Sequence, residues 1–249
     1  MINKERIEPI PDPRLPTPLY YQLQTILNAK IDNGDWQPGD LIPTENELIK
    51  MYNVSRTTVR EAINALVNEG KLEKRQGRGT TVCKPKIVET LGHLTGFSEE
   101  MINKGYEPGA KLLLEERIVA PDKVAEKLNL AKGAEVYHIK RVRHANNEPI
   151  AIEQTYWPLE IAQYFAGEDL STAAFYSLIE SNGVQLKDAE EFISASAASK
   201  EHAQHLDIKE NTPLLKLERI TYSLRGVPVE YCFNEFRSDR YNYRVHLQR

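Results

Sequence analysis

Apolar residues recur at three- and four-residue spacing through three early stretches of the chain, then switch to alternation beyond Leu112. In the first stretch Leu19, Leu23, Ile26, Leu27 and Ile31 form one helical stripe; Thr17 is placed as its N-cap, Pro18 at its first position and Gly34 at its end. In the second, Leu48, Met51 and Tyr52 follow Thr44 and Glu47, which stand at capping-box spacing. In the third, Val59, Ala62, Ile63, Leu66 and Val67 follow Ser55 as N-cap and stop at Gly70. Asn53 and Ser55 leave only a tight turn between the last two helices. Residues 72–74 and 80–82 are short enough to be edge strands. Gln76-Gly77-Arg78-Gly79 joins them, with two glycines that permit positive φ and close backbone approach. Three helices and a hairpin in this order predict a winged helix-turn-helix.

The later alternation predicts strands over 112–120, 135–144, 150–157, 184–195, 214–223 and 229–237, with helices over 98–104, 121–129, 159–166, 172–182 and 199–206. The fold class is therefore α+β: a winged helix-turn-helix followed by an α+β domain with a largely antiparallel sheet. A weak repeat runs through it. Leu128-Asn129-Leu130, Val136 and Arg141 recur 78 residues later as Leu206-Asp207-Ile208, Leu214 and Arg219, and each copy ends in a hairpin closed by a polar turn and a proline. Two similar halves facing one another across a cleft are expected. The chain divides into a proline-rich N-terminal arm over 1–16, a winged helix-turn-helix domain over 17–82, a linker over 83–90 and a second domain over 91–249.

Charge sharpens this division. Residues 50–84 hold eight Lys/Arg against three acids, whereas residues 85–249 hold twenty against twenty-five. A chain of net charge −4 with one basic module is no general DNA coater. Cys83 and Cys232, the only cysteines, supply neither a disulfide framework nor a zinc ligand set, and no metal or cofactor is expected. With no apolar leader and no run near the roughly 18 residues a membrane span needs, the protein is expected in the cytoplasm, without a membrane partner.

Arg56, Thr57, Thr58 and Arg60 share the exposed first turn of the third helix, where a helix-turn-helix reads base edges and holds phosphates. Arg78 at the hairpin tip is placed to probe a phosphate or the minor groove. A capped helix pair alone is ordinary core architecture; the basic Gly-Arg-Gly hairpin behind it favours DNA. The segment PGDLIPTENELIKMYNVSRTTVREAINALVNEGKLEKRQGRGTTV resembles the DNA-binding module of the GntR family of bacterial transcription regulators, without a gap. The resemblance implies that Arg56 and the turn from Thr57 to Arg60 read operator bases, while Thr44, Arg60 and the wing position phosphates. The implied DNA-binding set is Thr44, Glu45, Asn46, Ser55, Arg56, Thr57, Thr58, Arg60, Arg75, Gln76, Gly77, Arg78 and Gly79. Asn46 stands where relatives often carry arginine.

In the second domain Arg141 and Arg143 share one strand face. A three-residue turn after them places Glu153 opposite Arg141 on that face; a two-residue turn turns it away. Glu230 follows the second closing proline as Glu153 follows the first. A salt-bridged exposed sheet face explains these residues equally well. Gly96 before a Ser98-capped helix adds free backbone N–H groups able to hold an anion. LTGFSEEM, KRVR with EPIAIEQTYWP, and RYNYRV resemble the UTRA effector-binding domain of the HutC subfamily, similar in fold to chorismate lyase. By that resemblance Phe97, Ser98 and Arg141 take an effector's phosphate or carboxylate, while Arg143, Glu153 and Glu230 hold hydroxyl or amine groups. Tyr176 completes the effector set. Ala174 stands where relatives often place a phosphate-binding serine.

The expected function is a ligand-responsive bacterial transcription regulator, a repressor binding a palindromic double-stranded operator as a homodimer and released by a small anionic effector, a sugar phosphate being favoured. The competing class is an enzyme on a small anionic metabolite, built on the lyase-like domain. Against catalysis, the histidines are scattered, and His202 with His205 has no third metal ligand nearby. No activated nucleophile is visible, so no catalytic residue is assigned.

Overall fold

The computed structural model describes residues 9–75 and 77–248, with Arg75 described by its backbone alone. It divides into two compact units, Met1–Pro85 and Lys86–Arg249.

In the first unit α1 (Leu19–Asp32), α2 (Glu45–Tyr52) and α3 (Arg56–Asn68) precede β1 (Leu72–Arg75) and β2 (Gly79–Val82). The local signals act as read. Thr44 and Glu47 form the reciprocal capping box, and the Ser55 hydroxyl accepts from the Thr58 N–H at 3.1 Å. One core gathers Leu23, Leu27, Leu48, Tyr52, Val59, Ala62, Ile63, Leu66, Leu72 and Val82. Met51, expected on the apolar stripe, is exposed. Thr17 caps nothing either: α1 starts after Pro18 without a side-chain cap. Of the proline-rich arm, residues 1–8 lie outside the described residues. The remainder is held to α1, since the Asp12 N–H donates to Gln22 Oε1 at 2.8 Å and Gln22 Nε2 donates to the Thr17 carbonyl at 2.7 Å. β1 and β2 pair from Leu72 opposite Val82 to Arg75 opposite Gly79, one pair longer than the pattern predicts.

The second unit opens with β3 (Ile87–Thr90) and α4 (Phe97–Asn103), followed by β4 (Pro108–Val119), α5 (Asp122–Lys127), β5 (Glu135–Ala145) and β6 (Glu148–Pro158). Then come α6 (Leu159–Ala162), a short 3-10 turn, α7 (Phe175–Ser181), β7 (Leu186–Ala197), α8 (Lys200–Leu206), β8 (Pro213–Ser223), β9 (Pro228–Arg237) and β10 (Tyr241–Arg244). Six strands form one antiparallel sheet in the order β4-β5-β6-β9-β8-β7. The order reads the same from both edges, because β4-α5-β5-β6 and β7-α8-β8-β9 are the two copies of the repeat. Asn129 and Asp207, 78 residues apart, both have positive φ, as do Gly133 and Asn211. The halves do not face each other as expected. They abut through β6 and β9 in a single sheet.

α5 and α8 pack against one sheet face with Val136, Ile220, Tyr231, Val142 and Leu214. α4, α7 and the parallel pair of β3 and β10 pack against the other. The β3–β10 pair was not read from the sequence, and β3 occupies part of the stretch expected to be linker.

Candidate functional site

On the first unit the exposed face of α3 is organised by α2. The Arg56 guanidinium donates to Asn46 Oδ1 at 3.0 Å, and Arg60 Nε donates to Glu45 at 2.9 Å. Thr44, Asn46, Ser55, Arg56, Thr57, Arg60, Gly77, Arg78 and Gly79 are exposed; Glu45 and Thr58 are half-buried. A groove between the start of α2 and the hairpin is lined by Thr44, Glu45, Lys50, Lys74, Arg78 and Thr80 among others. Gly79, at φ +97°, sits so close to Leu41 that a Cβ would come within 3.0 Å of its Cδ2, so the second hairpin glycine has a steric reason beyond its backbone angle. Gln76 and the Arg75 side chain lie outside the described residues.

On the second unit a cleft of about 690 Å³, counted to its open mouth, lies on the α4 and α7 side of the sheet. Arg141, Arg143 and Glu153 form one half of its floor, and Arg219, Glu230 and Cys232 the other. The turn between β5 and β6 has two residues, Asn146 and Asn147, both with positive φ. That length alone would turn Glu153 away from Arg141. A bulge at Ile150 restores the pairing: Ala145 opposes Glu148, yet Arg143 opposes Ala151 and Arg141 opposes Glu153. The second hairpin repeats the device at Val229, so Thr221 opposes Glu230 and Arg219 opposes Cys232.

The two arginines of β5 are held differently. Arg141 donates to Glu153 at 2.6 Å and to the carbonyls of Leu170 and Ala173 at 2.9 and 3.1 Å, with its guanidinium 4.0 Å above the Phe175 ring. It fastens the segment before α7 to the sheet. Arg143 donates to the Ser98 hydroxyl at 2.7 Å, lies 4.0 Å from Glu153, and stacks 4.5 Å over Phe97. Its Nε has no hydrogen-bond partner although the side chain is only 3% exposed. Burial pushes Arg143 down to about 10, with Glu153 opposing the shift and Arg141 adding to it. Burial alone would raise Glu153; the charges of Arg141 and Arg143 outweigh it and hold the carboxyl below its usual range.

In the other half Tyr176 donates to Glu230 at 2.7 Å and Thr221 does so at 3.1 Å. Burial raises Glu230 to about 7 against the pull of Tyr176 and Arg219. Arg219 pairs with Glu191 and donates to the Thr95 carbonyl at 3.0 Å. Arg219 was not among the expected site residues, although its correspondence to Arg141 in the repeat was the signal for it. Ser98 is not the cap of α4: the N-cap is Gly96, and Ser98 lies one position inside the helix with its hydroxyl on Arg143. Phe97, Ser98, Arg141, Arg143, Glu153, Tyr176 and Glu230 thus all line one cleft. Among the described residues no cluster of potential metal ligands occurs, and no helix is long and apolar enough to cross a membrane.

Comparison with known proteins agrees with both units. Residues 19–82 match the model of the bacterial regulatory proteins of the gntR family, and residues 103–242 that of the UTRA domain. The chain is 35% identical over 234 residues to the HTH-type transcriptional repressor NagR of Bacillus subtilis, covering 94% of this chain and 96% of that one. It is 30% identical over 232 residues to the mannosyl-D-glycerate transport/metabolism system repressor MngR of Escherichia coli, covering 93% and 97%. Among solved structures, PhnF from Mycobacterium smegmatis superposes with a TM-score of 0.66 at 26% identity, over 92% of this chain and 98% of that one.

Proposed function

Because the chain belongs to the GntR family of bacterial transcription regulators and carries a UTRA domain, we propose that it is a repressor released from a palindromic operator by a small anionic metabolite, a sugar phosphate being favoured. The observation that carries the effector half of this reading is Arg143, a buried guanidinium with an unpartnered Nε at the floor of an open cleft. An anion there completes its hydrogen bonds and offsets the cost of burying its charge. The Ser98 hydroxyl and the α4 N–H groups beside Phe97 and Ser98 lie alongside. Glu230 and Tyr176 line the rest of the cleft, where neutral hydroxyl or amine groups of an effector are accommodated. Relatives named as repressors of mannosyl-D-glycerate metabolism and fructoselysine utilisation support a sugar-derived effector.

On the first unit the exposed arginines of α3 and the wing carry the DNA reading. Arg56 keeps half of its guanidinium fork free for a guanine edge, and Arg78 reaches a backbone phosphate. One reading helix per chain matches one half-site, so a two-fold dimer is required to read a palindrome. Effector occupancy then disfavours the state that spans both half-sites, and a coupling of about 1–3 kcal/mol is the usual scale. A thermal-shift panel of hexose and hexosamine phosphates on the full chain, followed by release from a selected operator with each hit, tests the proposal. A stabilising sugar phosphate that releases operator is the expected result; no hit among anionic metabolites overturns the effector reading.

A further inference from the structure

The repeat places Arg141 of β5 and Arg219 of β8 at matching positions, 78 residues apart, and the fold uses the two alike. Arg141 donates to the carbonyls of Leu170 and Ala173, just before α7; Arg219 donates to the carbonyl of Thr95, just before α4. Each copy thereby ties the entry of one covering helix to the floor of the cleft. Each guanidinium is braced by a glutamate opposite it on the neighbouring strand, Glu153 of β6 for Arg141 and Glu191 of β7 for Arg219.

Arg219 is not built to take an anion itself. Its Nε and one terminal nitrogen face Glu191, and the other terminal nitrogen donates to the Thr95 carbonyl at 3.0 Å and to the Tyr176 hydroxyl at 3.4 Å. Arg143, by contrast, keeps an unpartnered Nε. Thr95 stands just before Gly96, Phe97 and Ser98; Arg143 stacks on Phe97 and donates to the Ser98 hydroxyl. The stretch leading up to Thr95 begins at Leu91, whose N–H donates to the Arg244 carbonyl at 3.1 Å. It borders a cavity of about 260 Å³ lined by Gly92, His93, Thr95, Glu191 and Arg219 among others. Close packing therefore does not fix this stretch on that side, and the hydrogen bond from Arg219 does.

We infer that Arg219, aimed by Glu191, is a positioning residue of the effector site: by holding the Thr95 carbonyl it sets Phe97 and Ser98, and through them the guanidinium of Arg143 that takes the anion. This rests on the anion reading proposed above and adds to it a residue that acts without touching the ligand. Placement matters because a hydrogen bond weakens steeply once its distance and angle leave a narrow optimum. Charge and placement make opposite predictions at Glu191. As an acid beside the cleft it opposes an anion, so its removal strengthens binding if charge alone acts. As the brace of Arg219 it supports the anion, so its removal weakens binding.

The test is thermal melting of the full chain with increasing inorganic phosphate at constant ionic strength, for wild type, Arg143→Ala, Arg219→Met and Glu191→Ala. The phosphate-dependent rise in melting temperature reports affinity, whereas a purely structural role lowers the melting temperature at every concentration and leaves the rise intact. The rise seen in wild type is expected to vanish in Arg143→Ala. Arg219→Met is expected to bind phosphate at least about tenfold more weakly, the scale of one misplaced charge-assisted hydrogen bond, and Glu191→Ala at least about threefold more weakly despite the lost acid. An undiminished rise in either of these two variants overturns the assignment and leaves the anion site intact. No rise in wild type, or one that survives in Arg143→Ala, removes the anion from Arg143 and this inference with it. Glu191 lies half-buried on the edge strand, so its replacement gives the decision even where Arg219→Met does not fold.

Discussion

Replacing Arg143 by alanine separates binding of an effector from folding of the cleft. In the resting protein this guanidinium donates to Ser98, lies beside Glu153 and leaves Nε unpartnered. An anionic effector therefore gains at least one charge-assisted hydrogen bond, and each such bond is worth about 1.5–3 kcal/mol. With the lost charge partly offset by Arg141 nearby, Arg143→Ala costs about 2–4 kcal/mol of effector binding, or roughly 30- to 1000-fold in Kd. Stability suffers less, because Glu153 keeps Arg141 at 2.6 Å and no paired charge is stranded. Isothermal titration with the sugar phosphate selected by the thermal-shift panel measures the loss, and fluorescence anisotropy on operator without effector provides the control, expected within about twofold of wild type. Arg141→Ala behaves differently. It frees the carbonyls of Leu170 and Ala173 and removes the close partner of buried Glu153, so it destabilises the unit by about 3–5 kcal/mol, and any loss of effector response comes with a lowered melting temperature. If Arg143→Ala binds the effector as tightly as wild type, the anion is not held at this arginine.

Arg56→Ala is expected to cost roughly 1–3 kcal/mol of discrimination between operator and random DNA, measured by competition anisotropy. Arg78→Ala is expected to lower the slope of log K against log salt by about one unit if its partner is a phosphate, and an unchanged slope places it elsewhere. Glu100 of α4 is buried, accepts from the Tyr241 hydroxyl at 2.7 Å and is raised by that burial to about 8. The raised carboxyls of Glu230, at about 7, and Glu100 favour the folded state most fully below the ordinary glutamate range and withdraw that contribution as pH rises through those values. Unfolding free energies from urea titrations should therefore fall between about pH 5 and 8, by up to about 1.4 kcal/mol per pH unit for each titrating group, and Glu230→Gln should remove its share of the slope.

What could be read from the sequence was what neighbours in the chain decide. The Thr44 and Glu47 capping box, the Ser55 cap and the glycine hairpin are settled within a few residues, and the structure reproduces them. The helix-hairpin repeat was legible because Leu128-Asn129-Leu130, Val136 and Arg141 recur at one fixed spacing, and the structure gives Asn129 and Asp207 the same positive φ and adds the matching pair Gly133 and Asn211. β3 and β10 were not, since two four-residue strands more than 150 positions apart carry no periodicity that announces a parallel pair. Glu153 was found, but by the wrong count. Turn length was taken to set its side of the sheet, whereas a two-residue turn combined with a bulge gives the same parity as the three-residue turn considered. Arg219 was overlooked because its partner in the floor is Cys232, so the arginine-carboxylate pattern that drew attention to Arg141 was missing.

The bulges at Ile150 and Val229 have a consequence for how such a binding floor can change. Each hairpin behaves as a reading frame of two: losing or gaining one residue in its turn sends Arg141 with Arg143, or Glu153, or Glu230, through to the side of the sheet packed by α5 and α8, while a change of two residues leaves every side chain where it was. Point substitutions on the floor are therefore open to selection for new ligands. Single-residue insertions and deletions in these two turns are frameshifts in protein space, to be rescued only by erasing or adding a bulge on the same hairpin.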